Sequence, residues 1–185
     1  TEGLNLEAAG VKTTRGAIDT NLKLETNVPN IYAIGDVNGK AMLAHTASME
    51  GVTAVENICG HNKEMDYSRI PSAIYIQPEI ASVGLTEEQA KEKVGTFPLL
   101  ANGKAKVAGN EEGIVKVIID GRLGEILGVH MYCIHATDMI SETVAAMNLE
   151  ATAEEMINTI HPHPTVSEAI HEAFHAAADK AIHFI

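Results

Sequence analysis

Apolar and polar positions alternate over short runs in much of this chain and recur at helical spacing in the rest, a pattern that predicts short strands interleaved with helices. The first apolar run, Asn30-Ile-Tyr-Ala-Ile-Gly-Asp36, is stopped by Gly-Asp and predicts a buried strand ending at a tight turn. From Ala41 to Cys59 the spacing predicts a helix, with Leu43, Ala47, Val52, Val55 and Ile58 as its apolar positions, Gly51 as a weak point and Gly60 as its C-terminal stop. Residues 60–69 then turn polar and charged, which predicts a boundary between compact units near residue 67.

Beyond that boundary, the runs 72–76, 80–83, 97–101, 114–119 and 126–131 predict short strands, with a hairpin at Asp120-Gly121. Thr86-Glu-Glu-Gln89 and Thr152-Ala-Glu-Glu155 have the form of capping boxes, in which the Thr oxygen and a Glu or Gln side chain satisfy N–H groups at a helix start. Helices are therefore expected from Glu87 and Ala153, and the spacing predicts two more over 136–148 and 166–181. Strands grouped before helices give an α+β unit. The series Gly121, Gly124, Gly128 matches no phosphate-loop spacing and reads as a hairpin turn with closely packed strands.

The composition, 45% hydrophobic and 21% charged, suits an ordinary globular chain, and 185 residues can bury a core without disulfides. No apolar run approaches the ~18 residues of a membrane span. Thirteen Lys and Arg against 25 Asp and Glu leave a net charge of −12, which repels phosphate backbones and anionic headgroups, so neither nucleic acid nor membrane is an expected partner. Cys59 and Cys133 make no CxxC or CxxxxC pair, and two reduced thiols suggest a reducing, cytoplasmic compartment. The start, Thr1-Glu-Gly-Leu-Asn-Leu, has neither an initiator Met nor a signal-peptide layout and is expected of a piece of a longer chain.

Three places carry candidate chemistry. In His161-Pro-His163-Pro-Thr-Val-Ser-Glu168 two prolines stiffen the segment, and Glu168 one turn into the next helix can hold one ring nitrogen of His163 while the other takes a substrate proton. The same spacing also fits a capping box, Thr165 to Glu168, with Glu168 merely bonded to backbone N–H. His171-Glu-Ala-Phe-His175 is a literal HExxH, which on a helix puts two imidazoles on one face for zinc with Glu172 as base. Five of the nine histidines lie between His161 and His183, however, and the extended zinc-protease form fails at Ala178 and Ala181. Gly35-Asp36 at a strand tip can accept hydrogen bonds from the hydroxyls of a bound polyol, although Gly-Asp is also ordinary turn chemistry.

Four stretches, Thr1-Glu-Gly-Leu-Asn-Leu, residues 30–36, Gln77-Pro-Glu-Ile-Ala-Ser-Val-Gly-Leu85 and residues 161–168, together resemble the C-terminal part of the class I pyridine nucleotide-disulfide oxidoreductases. Met42-Leu-Ala-His45 and His135-Ala-Thr-Asp138 look like the dihydrolipoyl dehydrogenase branch. The resemblance implies an FAD- and NAD-dependent homodimer that reoxidises dihydrolipoamide on 2-oxo acid dehydrogenase complexes. It implies a remnant of the NAD- and FAD-binding domains over 1–66 and, over 67–185, a dimerisation domain with a mostly antiparallel sheet flanked by helices. Asp36 would bond the ribitol of FAD, Met42, Leu43, Ala44 and His45 would lie along the flavin, and His163 oriented by Glu168 would be the acid/base of the partner's site. The redox CxxxxC and both GxGxxG motifs are absent from this chain, so alone it would not complete the cycle and would hold no cofactor stably. A non-catalytic dimerisation module, or behind it a zinc metallopeptidase using the HExxH, is the alternative.

Overall fold

The computed structural model describes residues 1–183, and the chain divides into two compact units, Thr1–Tyr67 and Ser68–Ile185. In the first, β1 (Thr13–Thr14) and β2 (Ala17–Ile18) form a small antiparallel hairpin closed by Arg15 and Gly16, both with positive φ. Val11, Ile18 and Ala33 form its core, with Leu6, Val28, Ile31 and Val37 packed on them. The strand expected over 30–36 is not formed. A strand needs a paired neighbour along its length, and here a single Glu25–Tyr32 bridge and the Ala33 N–H bond to Leu24 O (3.1 Å) are followed by a 3-10 turn at Gly35–Asn38.

Helix α1 (Ala44–Ile58) ends as its sequence requires. The N–H of Gly60 bonds Asn57 O (3.0 Å) and that of His61 bonds Glu56 O (2.9 Å), the Schellman arrangement that only a residue at ease with positive φ completes readily. Its buried face is not the expected apolar one. Thr46, Glu50, Thr53 and Ala54 point inward while Val52, Val55 and Ile58 are exposed, because the inner face meets the polar backbone of the Gly35 turn and the 65–67 segment.

The second unit is a five-stranded antiparallel sheet in the order β3 (Ser72–Ile74), β4 (Glu79–Gly84), β7 (Ile126–Cys133), β6 (Ile114–Ile119), β5 (Lys93–Pro98). Register pairs Ala81 with Met131, Val83 with Val129, Val117 with Val129 and Gly95, and Val115 with Met131 and Phe97, so these residues share one face. Helices α4 (Ala136–Asn148) and α6 (Glu168–Ala177) cover that face and close the main core, with Phe174, Ile170 and Ile140 fully or almost fully buried. Short helices α2 (Glu87–Ala90), α3 (Gly103–Ala108) and α5 (Ala153–Asn158) fill the connections, and both predicted capping boxes are made, at Thr86/Gln89 and Thr152/Glu155.

The strand expected over 97–101 runs instead over 93–98, and a 3-10 turn follows it. Gly95 occupies an inward position, where a Cβ would lie 2.1 Å from Ala173 O and 2.2 Å from Ala177 N. A glycine at that point lets α6 approach the strand, and it also removes the apolar residue that would have marked the alternation. The last helix starts at Glu168 and stops at Ala177 rather than spanning 166–181.

Helix α4 follows His135, an N-cap in left-handed conformation that makes no side-chain cap bond. Glu79 of β4 takes that role, accepting the Thr137 N–H (2.9 Å) and hydroxyl (2.7 Å). The Thr137 N–H, and next its hydroxyl, hold the Glu79 carboxyl below its ordinary range. A depressed folded-state pKa contributes stability above the unfolded-state value that is lost as pH falls through the folded one. Glu79→Gln is therefore expected to lower the urea midpoint at neutral pH, with the gap from wild type closing in acid below the usual Glu range.

Candidate active site

The segment between α5 and α6 carries the two prolines of the motif, and the His163–Pro164 peptide is cis. His163 is exposed, with its Nδ1 2.9 Å from Glu168 Oε1. Glu168 is the first residue of α6, and its other oxygen accepts the Thr165 N–H at 2.8 Å. Only half of the capping-box reading is made: one carboxylate oxygen holds the Thr165 N–H, while Thr165 Oγ1 is buried without a hydrogen-bond partner and the N-cap, Ser167, makes no side-chain cap bond; the other carboxylate oxygen meets the imidazole. Burial raises the Glu168 pKa, but the Thr165 N–H and then His163 outweigh it and hold the carboxyl below its usual range. An ionised carboxylate only accepts, so the Nδ1 of His163 carries a proton and Nε2 of the neutral ring is left with a lone pair on an exposed face. Such an imidazole can take a proton from an incoming acid and pass it back.

A cavity of about 430 Å³ adjoins the segment, lined by His163 and Glu168 together with Phe97, Asn102, Ile157, Thr159, His161, His171 and Glu172, among others. Asn102, 3% exposed, binds both sides of its surroundings: Oδ1 caps α3 at Ala105 N (2.9 Å) and Nδ2 donates to Thr165 O (3.1 Å). His161 reaches Glu142 of α4 at 2.7 Å. Neither Asn102 nor Glu142 was legible as a site residue, since their partners lie 63 and 19 positions away.

The HExxH stretch does place His171 and His175 on one face of α6, their Nε2 atoms 3.2 Å apart. Glu172 turns elsewhere, to His183 (2.6 Å), and among the described residues no group of three potential ligands could hold a metal ion. His171 bonds Ile157 O (2.9 Å) and His175 bonds Lys180 O (3.1 Å), so both rings are engaged as packing residues. The zinc peptidase alternative finds no support in this geometry.

In the first unit Gly35 has positive φ, with Asp36 exposed at the start of its turn. Met42 is 73% exposed, Leu43 is the N-cap of α1 without a side-chain cap bond, and Ala44 and His45 open the helix on an exposed face. The first turn has no acidic residue, and Thr46 Oγ1 is buried with no hydrogen-bond partner. These uncapped N–H groups, the positive helix end and the exposed Asp36 carboxylate fit an extended group carrying acceptors and hydroxyls, as FAD does.

The turn is held by Glu50, fully buried, which accepts the Gly35 N–H (2.5 Å) and the Tyr67 hydroxyl (2.6 Å). Burial first, and then the bond to Glu50, push the Tyr67 pKa upward, so the phenol stays a donor. A glutamate on the inward side of a helix was the available signal for this contact. Glu50→Ala leaves the buried Gly35 N–H unpaired and Tyr67→Phe leaves a buried Glu50 oxygen without its donor, so a loss of about 1–3 kcal/mol is expected for each in urea unfolding of the first unit.

Residues 70–174 match the family described as pyridine nucleotide-disulphide oxidoreductase, dimerisation domain, and residues 1–51 match pyridine nucleotide-disulphide oxidoreductase. The dihydrolipoyl dehydrogenase of Bacillus subtilis is 51% identical over 99% of this chain and 40% of its own length. Dihydrolipoyl dehydrogenase 1, mitochondrial, of Arabidopsis thaliana is 46% identical over 99% of this chain and 37% of its own length. The chain thus spans about two fifths of the length of these curated relatives. Among solved structures, LpdA from Mycobacterium tuberculosis superposes with a TM-score of 0.86 at 28% identity, over 94% of this chain and 39% of that one. The Cu(II) complex of the HOCl-induced flavoprotein disulfide reductase RclA from Escherichia coli gives 0.86 at 28% identity, over 92% and 41%. The antiparallel sheet with its helices and the match over 70–174 agree, and the chain belongs to the pyridine nucleotide-disulphide oxidoreductase family through its dimerisation domain.

Proposed function

We propose that this chain supplies the C-terminal part of an FAD-dependent dihydrolipoyl dehydrogenase, with His163 and Glu168 as the acid/base dyad for dihydrolipoamide. The observation that carries this reading is the 2.9 Å contact of His163 Nδ1 with a Glu168 carboxylate that also accepts the Thr165 N–H, leaving the exposed ring with Nε2 for chemistry. In this reading Nε2 takes a proton from the substrate dithiol, and the thiolate so formed is the nucleophile of thiol–disulfide exchange. Glu168 holds the ring in one tautomer and stabilises the imidazolium until the proton is returned. FAD, when bound, would carry the electron pair from the dithiol side to NAD.

Residues 1–66 belong to the NAD- and FAD-binding domains and 67–185 to the dimerisation domain. Asp36 bonds the ribitol, and Met42, Leu43, Ala44 and His45 lie along the flavin, chiefly through the N–H groups opening α1. The dyad acts in the partner subunit's site of a homodimer, and the physiological substrate is dihydrolipoamide borne by a 2-oxo acid dehydrogenase complex. Cys133 is buried, and burial pushes its thiol up to about 12, so it serves packing rather than redox chemistry. Two unbridged thiols suit a cytoplasmic setting, and among the described residues no helix is long and apolar enough to cross a membrane.

The test is dihydrolipoamide-dependent NAD reduction by the holoenzyme, read beside its visible flavin spectrum. Activity with bound flavin supports the proposal, whereas a colourless, inactive protein that still dimerises leaves only the non-catalytic module.

A further inference from the structure

The motif presents two imidazoles two residues apart, His161 and His163, and their surroundings differ sharply. The His163 side chain is 77% exposed, whereas that of His161 is 6% exposed. Nε2 of His161 lies 2.7 Å from Glu142 Oε1, and Nδ1 lies 3.2 Å from Thr159 O. A carbonyl and an ionised carboxylate can only accept, so both ring nitrogens must donate, and His161 sits as an imidazolium paired with Glu142. Among the described residues His163 meets one acceptor, Glu168 on Nδ1, and keeps Nε2 for chemistry.

We propose that His161 and Glu142 are a positioning pair that pins the segment carrying His163 to α4, so that His163 Nε2 is presented at a fixed place. The segment is then held on both sides of His163. Glu142 grips it at 161, and at 165 the buried Asn102 donates to the carbonyl (3.1 Å) while Glu168 accepts the N–H (2.8 Å). Pro162 and Pro164 stiffen the short stretch between the two grips, so a displacement at His161 is carried to His163 rather than absorbed. The groups facing His161 are Glu142 from α4, Glu168 and the His171 ring from α6 (centroids 5.3 Å apart), and the Thr159 carbonyl of its own segment. Two anions and a carbonyl against one imidazole favour the charged form, and the bond to Glu142, more than the opposing effect of burial, raises its pKa.

This inference rests on the reading of His163 as the base, and the experiment separates the two. In the holoenzyme, Glu142→Gln and His161→Gln are expected to lower kcat for dihydrolipoamide oxidation on the order of 10- to 100-fold with flavin content and KM for NAD unchanged. The double variant Glu142→Gln/His161→Gln should be no worse than the more severe single one, because the two act as one pin. Added to His163→Gln, Glu142→Gln should cost nothing further, since a positioning residue has nothing left to position. Nitrogen NMR of the chain should show both His161 ring nitrogens protonated at neutral pH, and Glu142→Gln should abolish this. Near-wild-type kcat for Glu142→Gln, or a further multiplicative loss in the His163→Gln background, overturns the pin while leaving the His163 reading intact. Full activity of His163→Gln overturns the reading on which the pin rests.

Discussion

His163→Gln in the holoenzyme is expected to lower dihydrolipoamide-dependent NAD reduction by about 10²- to 10⁴-fold, the usual range for losing a positioned acid/base. Flavin content should stay at the wild-type level, because the side chain is exposed and its ring is held by Glu168 at 2.9 Å. Glutamine can still donate toward Glu168, so that carboxylate keeps its partner, and what disappears is a ring nitrogen able to take a proton and return it. Glu168→Gln should be milder in stability than in rate. Its amide oxygen can still accept the Thr165 N–H, but it cannot fix the tautomer or balance the imidazolium. Steady-state kinetics on both variants, with the flavin spectrum recorded on each sample, check the pair.

The second large effect is on folding. Phe174 is fully buried where α6 lies across β5 and β6, and Phe174→Ala should cost about 3–5 kcal/mol through lost transfer energy and the cavity left behind. Gly95→Ala acts from the other side of the same contact. Its Cβ would lie 2.1 Å from Ala173 O, backbone rather than a flexible side chain, so the strand or the helix must move. The loss should be at least as large as the roughly 1–3 kcal/mol of an overpacked core. Because α6 carries Glu168 at its first position, Gly95→Ala should also disturb the dyad, whereas a stabilising surface change elsewhere would not restore it. Urea unfolding of the dimerisation unit followed by circular dichroism measures both variants, and midpoints equal to wild type would contradict the packing described.

How much of this was legible beforehand varies with the range of the interaction. The capping boxes at Thr86 and Thr152 are made as their spacing requires, and α4 spans 136–148 as expected, since such signals are local. The His163–Glu168 contact was readable for the same reason, as the two lie five residues apart across a helix start. Its double use was not, because the sequence offers capping and dyad as rivals, and only geometry shows one carboxylate holding both the Thr165 N–H and the imidazole while Thr165 Oγ1 stays unpaired. The strand at 93–98 was misplaced because Gly95 stands at an inward position and erases the period of two. The buried face of α1 was misread because its partners are a turn and a tyrosine that demand hydrogen bonds, so Thr46, Glu50 and Thr53 face inward and the valines do not. The Glu142–His161 and Asn102–Thr165 contacts join distant elements, and neither leaves a periodic trace.

In the proposed function His163, held by Glu168, moves the proton on the dithiol side of the reaction. Single-turnover reduction of the bound flavin by dihydrolipoamide, compared between wild type and His163→Gln, tests it most directly. The rate should be slowed by about 10²-fold or more in the variant, with reoxidation by NAD at the wild-type rate. Equal rates of flavin reduction in the two proteins would contradict it.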